Sequence, residues 1–424
     1  MQEEFLCYLW QFKLIPIGLK TLDQEEIEVI LPGQRNRDSG PDFFNARVRI
    51  GPTIWAGNVE IHVRSSDWFR HGHHSDSMYD SIILHLVWEH DLGVTAGNGL
   101  PTGRIIELKD KIDSKLINEY ERMISSVGMI PCQNQLVELN PLVFYKMCER
   151  SIVERLIEKR KDVDRYLEAT KGDWEEAFYR SLSRSFGLRV NADAMEQLAQ
   201  TIPLRLVWRS ISNVQQAEAL FLGQAGLLLG NWDDRWLSDL HNEYLYLARL
   251  HHLKPLNPMV WKFARMRPIS FPTIRIALFA SMVFSIQPLF SRLIGLTSVE
   301  EVAQVMRVSA SSYWNYHYYP DRESTFHNVI VGQQLSELII INTLVPFLFA
   351  HGQINGDQAM INRSIAILEE LPAEDNAMVR KWISFGVKCE SALTSQGLLW
   401  LDKTYCSMFR CLECSIGHAV LKRV

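Results

Sequence analysis

Ser39-Gly-Pro-Asp-Phe43, followed by Gly57-Asn-Val-Glu-Ile-His62, is the stretch on which the fold turns. Residues 43–50 alternate Ala46, Val48 and Ile50 with Arg47 and Arg49, the period of a half-buried strand. Gly51-Pro52 supplies a turn, and residues 55–63 read as the next strand. Such a hairpin brings Asp42 and Glu60 together at its open end. Two carboxylates held that way suit a hard divalent cation, Mg²⁺ or Mn²⁺, bound through oxygen. The competing reading is two surface acids on a half-solvated sheet.

Working outward, residues 2–14 have the spacing of an amphipathic helix, with Phe5, Leu6, Leu9, Trp10 and Leu14 on or near one face. Residues 26–31 alternate charged and apolar types and read as a strand ended by Pro32-Gly33. A polar, His-rich loop or short helix covers residues 65–80. Residues 82–88 form a nearly unbroken apolar run, as in strands buried on both faces, and 104–108 read as one more strand. A crossover back into the same sheet implies a parallel neighbour. Beyond residue 112 helical periodicity takes over. Helices are expected at 113–129, 141–166, 174–185, 191–201, 217–229, 237–251, 274–293, 299–308, 327–350, 357–371 and 375–384. The fold class is an α+β or α/β N-terminal domain, residues 1–125, followed by a large all-α domain, residues 126–424, with a Cys-rich end.

The order helix, three strands, helix, strand, together with Pro41-Asp42 and Glu60-Ile61-His62, resembles the PD-(D/E)XK nuclease superfamily over roughly the first quarter of the chain. The resemblance implies a restriction-endonuclease-like fold. It implies that Asp42, Glu60 and the Ile61 carbonyl hold one or two Mg²⁺ or Mn²⁺ ions for phosphodiester hydrolysis by water. Glu4, with Glu3 next, stands where a first-helix acid joins such sites. His62 stands where that superfamily has Lys, which orients or activates the attacking water. Lys is a permanent cation at neutral pH and His is not, so the substitution bears directly on activity.

Six of the 13 histidines lie between positions 62 and 90: His62, His71, His73, His74, His85 and His90. His71, His73 and His85, with Asp76 nearby, could ligate a transition metal through imidazole and carboxylate. The bland reading is a polar loop with incidental histidines and a hydrogen-bonded core His85. Over a longer span, Ser39 to Phe43, Gly57 to His62, Ser66-Asp-Trp68, Ile83-Leu-His85, Ala217 to Leu227 and Tyr405 to Gly417 are similar to an uncharacterised bacterial family, filed as a domain of unknown function. That resemblance brings no activity with it.

Cys406, Cys411 and Cys414 form a C-x4-C-x2-C run, and Cys389 is an upstream candidate for a fourth thiolate. Four thiolates suit Zn²⁺ or an iron–sulfur cluster, whereas separate buried thiols pack as small hydrophobes. Trp261, Arg265, Arg267, Phe271 and Arg275 make a basic, aromatic loop that suits single-stranded nucleic acid or a rigid helix connector. The net charge of −5 leaves no global footprint for nucleic acid. Residues 338–350 are short for a bilayer span and the N-terminus lacks a signal-peptide pattern, so the expectation is a cytoplasmic protein without membrane attachment. No P-loop, dinucleotide glycine motif, G-x-S-x-G or H-E-x-x-H is present. Three readings remain. They are a metal-dependent nuclease whose helical domain binds substrate or a protein partner, a non-catalytic interaction scaffold on a decayed nuclease fold, and a His/Asp metal hydrolase that does not act on nucleic acid.

Overall fold

A computed structural model describes residues 1–36, 38–92, 104–125 and 130–423. The chain forms two compact units, Met1–Phe144 with Asp402–Val424, and Tyr145–Leu401. The first holds a mixed sheet; the second is largely helical.

In the first unit, α1 (Glu3–Gln11) precedes β1 (Ile27–Leu31), the two-residue β2 (Gln34–Arg35), β3 (Phe43–Ile50) and β4 (Thr53–Arg64). A short helix, α2 (Asp67–Arg70), and two 3₁₀ turns, His73–Ser75 and Ser77–Tyr79, lead to β5 (Ile82–Glu89); β6 (Ile105–Glu107) follows. The sheet order is β1-β3-β4-β5-β6, with β2 also on β3. The β1/β3 and β3/β4 pairs are antiparallel, while β4/β5 and β5/β6 are parallel. Arg47 and Arg49 face solvent while Ala46, Val48 and Ile50 are buried, as their alternation requires. Residues 82–87 are all buried, because a parallel strand is covered on both faces. Helix α1 packs on β4, with Phe5, Leu6, Leu9 and Trp10 fully buried and the Trp10 indole donating to the Pro32 carbonyl at 2.9 Å.

Two backbone features place the ends of β3 and β4. A bulge between Phe43 and Ala46 leaves Asn45 at φ 58°, a conformation Asn tolerates better than most residues. A methyl group at Gly57 would lie 2.4 Å from Ile83 Cγ2 and 2.7 Å from the Ser81 carbonyl oxygen, so β4 and β5 approach only because position 57 has no side chain. Gly57→Ala is therefore expected to lower stability by about 1–3 kcal/mol, read as a lower denaturation midpoint. An unchanged midpoint would mean that β5 is not held this close.

The second unit departs from the expected helices at several places: Leu204–Ser210 and Ala392–Leu401 have no expected counterpart, and the helix expected over 217–229 is Val214–Gln224. The helix expected over 274–293 is two, Pro272–Ser285 and Leu289–Ile294, because Pro288 has no N–H to continue the ladder. The helix expected from 327 begins at Gln333. Residues before it pair with a loop instead, through Ser309–Ile330 and the Val331 N–H to the Val308 carbonyl at 2.9 Å. The helical run Gln333–Asn355 is the one described helix long and apolar enough to cross a membrane, and 78% of its apolar window is buried inside the protein. The helix expected over 113–129 is Ser114–Ser125, its expected end lying outside the described residues.

Candidate metal centre

Parallel pairing sets Glu60 opposite His85 and His62 opposite Val87. Glu60 and His62 are two residues apart on β4, so their side chains share one face. Both are buried, with 5% and 1% exposure, and His85 is fully buried. The crossover after β4 lays the 3₁₀ turn carrying His73 over this face. Its fold is fixed by Gly72 at φ 78° and by Asp76, whose carboxylate accepts the Met78 N–H at 3.0 Å.

The carboxylates of Asp42 and Glu60 are interlocked. Asp42 Oδ2 accepts the Ile61 N–H at 3.0 Å, and Glu60 Oε2 accepts the Asp42 N–H at 3.1 Å. The Arg35 guanidinium bonds to Asp42 Oδ1 and lies 3.5 Å from Glu4 Oε1. Arg35 has no periodicity or motif to mark it in the sequence; only the strand pairing of Arg35 with Phe43 brings it here. Glu4 is exposed. Its charge nevertheless reaches Asp42, and Glu3 is half-buried: burial, reinforced by the Asp42 charge, pushes the Glu3 carboxyl up to about 7.

The remaining oxygen of Glu60 faces imidazoles. Glu60 Oε1 lies 3.2 Å from His73 Nε2 and 3.5 Å from His62 Nε2. His62 Nε2 is 3.2 Å from His71 Nδ1, and His62 Nδ1 is 2.9 Å from His85 Nε2. The ligand atoms of His62, His71 and His73 all lie within 4.8 Å of one another. The buried Nε2 of His73 makes no hydrogen bond, despite its proximity to Glu60. Tyr79 stacks on the His73 ring with centroids 3.8 Å apart, and Trp68 packs edgewise on it. Of the expected ligands, His71 and His73 converge with His62, whereas His85 supports His62 from behind. His74 packs at a tilt against Phe69 instead, with ring centroids 5.3 Å apart.

Electrostatics show why these contacts are not ion pairs. Burial first, then the Asp42 charge, pushes Glu60 up to about 9. Burial first, then His85, His73 and His71, brings His62 down to about 2, and burial lowers His73 as well. At neutral pH the ion-free centre thus holds a protonated Glu60 beside the neutral imidazoles of His62, His73 and His85. Three imidazoles and one carboxylate are a donor set for a divalent transition ion.

A pH dependence follows. Glu60 binds its proton more tightly folded (about 9) than unfolded (4.5), so its stabilising contribution is present below pH 4.5 and is lost as pH rises towards 9. His62 acts in the opposite sense, costing stability as pH falls from 6.5 towards 2. Without metal, Glu60→Gln is expected to be more stable than the parent at pH 8, the difference shrinking towards pH 4.5. Denaturant melts at both pH values check this; a destabilised variant at pH 8 would contradict it.

Other candidates lie elsewhere. Cys406, Cys411 and Cys414 are buried in the first unit, and Cys389 belongs to the second. In the loop around Trp261 the Trp261 indole donates to the Ala225 carbonyl at 2.8 Å and the Lys262 N–H donates to Asn191 Oδ1 at 2.9 Å, while Arg265 and Arg267 are exposed; Arg275 lies in the helix that follows, where burial brings it down to about 10.

Fold and site together define a protein with a mixed β-sheet unit, a Glu/His cluster at its crossover and a large helical unit. A family profile described as "Protein of unknown function (DUF2851)" matches residues 3–377, and the chain belongs to that family. No curated protein and no solved structure matches it.

Proposed function

We propose that the first unit is a divalent-metal-dependent phosphodiesterase of nuclease type, with a restriction-endonuclease-like fold and an ion held by Glu60, His62, His71 and His73. The observation that carries this reading is the buried, unpartnered Nε2 of His73, set beside Glu60 Oε1 and two further imidazoles. His85 supports it: accepting the His62 Nδ1–H would leave Nε2 unprotonated as a ligand, the usual outer partner of a metal-bound His. The nuclease assignment is supported by the antiparallel β1/β3/β4 meander, the crossover to parallel β5, and acids at the start of β3 and on β4.

A divalent ion in this centre supplies Lewis-acid polarisation of a phosphoryl oxygen. The chain's own groups do the rest. Asp42 fixes the Ile61 backbone and hence the direction of Glu60. Arg35 offers a guanidinium for a phosphate oxygen. Glu3, poised near neutrality, can take a proton from attacking water. His62 joins the ligands rather than replacing the superfamily's Lys as a cation. The imidazole-rich donor set favours Mn²⁺, Zn²⁺ or Fe²⁺ over Mg²⁺. It also favours a second reading, the same centre acting on a substrate other than nucleic acid.

The test is metal analysis of the purified full chain, with hydrolysis of linear DNA, single-stranded RNA and a small phosphodiester in Mn²⁺, Zn²⁺ and Mg²⁺. About one ion per chain with cleavage of a polynucleotide supports the nuclease. Cleavage of the small diester alone supports the second reading. Parent protein that retains no ion defeats both.

A further inference from the structure

Residues 244–299, all in the second unit, contain seven Lys and Arg and no Asp or Glu, in a chain of net charge −5. An even spread of the chain's 49 acids would place several there. Part of this segment is the loop that joins helix Arg235–His251 to helix Pro272–Ser285. Its cations Lys262, Arg265 and Arg267 are exposed and make no ion pair with a described residue. Arg275, in the first turns of the following helix, makes none either. Its Nη2 lies 3.3 Å from Ser270 Oγ, and its buried Nε has no hydrogen bond.

The loop turns these charges outward and sets aromatic rings beside them. Arg265 adopts φ 59°, a left-handed conformation that long side chains rarely take. Met266 faces inward, its sulfur 3.7 Å from Asn191 Nδ2, and its two arginine neighbours are left in solvent. The Asn191 amide also accepts the Lys262 N–H and donates to the Lys262 carbonyl, both at 2.9 Å, which brings the exposed Arg189 close to the loop. Phe263 stacks on Tyr319 with ring centroids 5.0 Å apart, and the Arg322 guanidinium lies 5.5 Å from the Tyr319 ring. Tyr319 ends the strand His317–Tyr319, and Tyr316, three residues back, is at most about 11 Å away. Tyr316 is 52% exposed and packs on Phe326, 63% exposed, with centroids 5.5 Å apart. The acids of this hairpin, Asp321 and Glu323, flank Arg322, so the excess positive charge lies on the side of residues 262–267.

We propose that this face of the second unit binds single-stranded nucleic acid, with Lys262, Arg265 and Arg267 on the phosphates and Tyr316 and Phe326 stacked on bases. Arginines without a carboxylate are ready partners for phosphate oxygens. The exposed rings beside them select a chain of flat bases over an acidic peptide, whose carboxylates offer nothing to stack. They also select a single strand, because a duplex keeps its bases stacked on one another and out of reach of rings on a protein surface. The Phe263–Tyr319 stack holds the hairpin against the loop before any ligand arrives, which lowers the ordering cost of binding. The site uses no residue of the metal centre. It stands whether or not that centre cleaves a phosphodiester.

The test is fluorescence anisotropy of labelled oligothymidylate, and of a duplex of the same length, with the full chain in EDTA over a range of salt concentrations. EDTA keeps binding apart from cleavage, so failure here and failure of the metal centre are read separately. The variants are Arg265→Ala/Arg267→Ala, Tyr316→Ala/Phe326→Ala and a control of equal charge change, Lys171→Ala/Lys388→Ala, at two exposed lysines elsewhere in the second unit. The expected result is tighter binding of the single strand, with log K falling against log salt at a slope of about −2 or steeper, as three phosphate contacts require. The arginine variant is expected to have a slope shallower by about 1.4, and the aromatic variant to bind about tenfold more weakly at unchanged slope, with the control like the parent. No binding in EDTA, a duplex bound as tightly as the single strand, or an arginine or aromatic variant that binds like the parent would overturn the proposal. So would displacement by polyglutamate as readily as by unlabelled oligothymidylate, which would assign the face to an acidic peptide. If the aromatic variant does not fold, the salt slopes of the parent and the arginine variant still decide: equal slopes overturn it.

Discussion

Glu60→Gln and His73→Ala are each expected to remove the bound ion and on the order of 10³-fold or more of phosphodiester-hydrolysing activity. Glu60 supplies the one carboxylate oxygen that faces the imidazoles, 3.2 Å from His73 and 3.5 Å from His62. Without it three neutral nitrogens must hold a dication alone. His73 has no other partner for its Nε2, so its removal costs the fold little polar satisfaction and its effect falls on the ion. Metal content, measured beside turnover, makes the two losses separable. Full metal retention in either variant would show that the ion, if bound, sits elsewhere.

Asp42→Ala is expected to act on stability first. Its carboxylate neutralises Arg35, and both side chains are only 15% exposed. Removing one partner of a fully buried pair costs about 3–5 kcal/mol; partial exposure and the nearby Glu4 bring the expected loss to about 2–3 kcal/mol. The Ile61 N–H also loses its acceptor. The two acids of the hairpin should therefore behave oppositely in metal-free protein at pH 8, Asp42→Ala destabilised and Glu60→Gln stabilised. Chemical denaturation of the pair reads this contrast directly. An Asp42→Ala protein as stable as the parent would mean that the Arg35 pairing contributes nothing.

What the sequence discloses here follows the range of each interaction. The β3–β4 hairpin is legible because alternation and the Gly51-Pro52 turn are local, and β5 because burial on both faces leaves a continuous apolar run. The interlocking of Asp42 and Glu60 follows from the hairpin alone. Arg35, by contrast, reaches Asp42 through a two-residue strand too short to leave a pattern. The choice between Glu3 and Glu4 depends on the rotation of α1, which adjacent positions cannot reveal. Helix Ala392–Leu401 is hidden by Gly397, an unfavourable residue in a helix, yet the position that lets the Cys148 backbone approach to within 2.9 Å of where a methyl group would sit.

The most direct measurement of the central claim is a crystal soaked in Mn²⁺ and recorded for anomalous scattering at a wavelength that reports manganese. The expected result is one strong peak in the first unit, bonded to Glu60 Oε1 and to the imidazoles of His62, His71 and His73, with His85 behind His62 and outside the coordination sphere. A peak held by Asp42 and Glu60 with the three imidazoles unengaged, or no peak in the first unit, would contradict it.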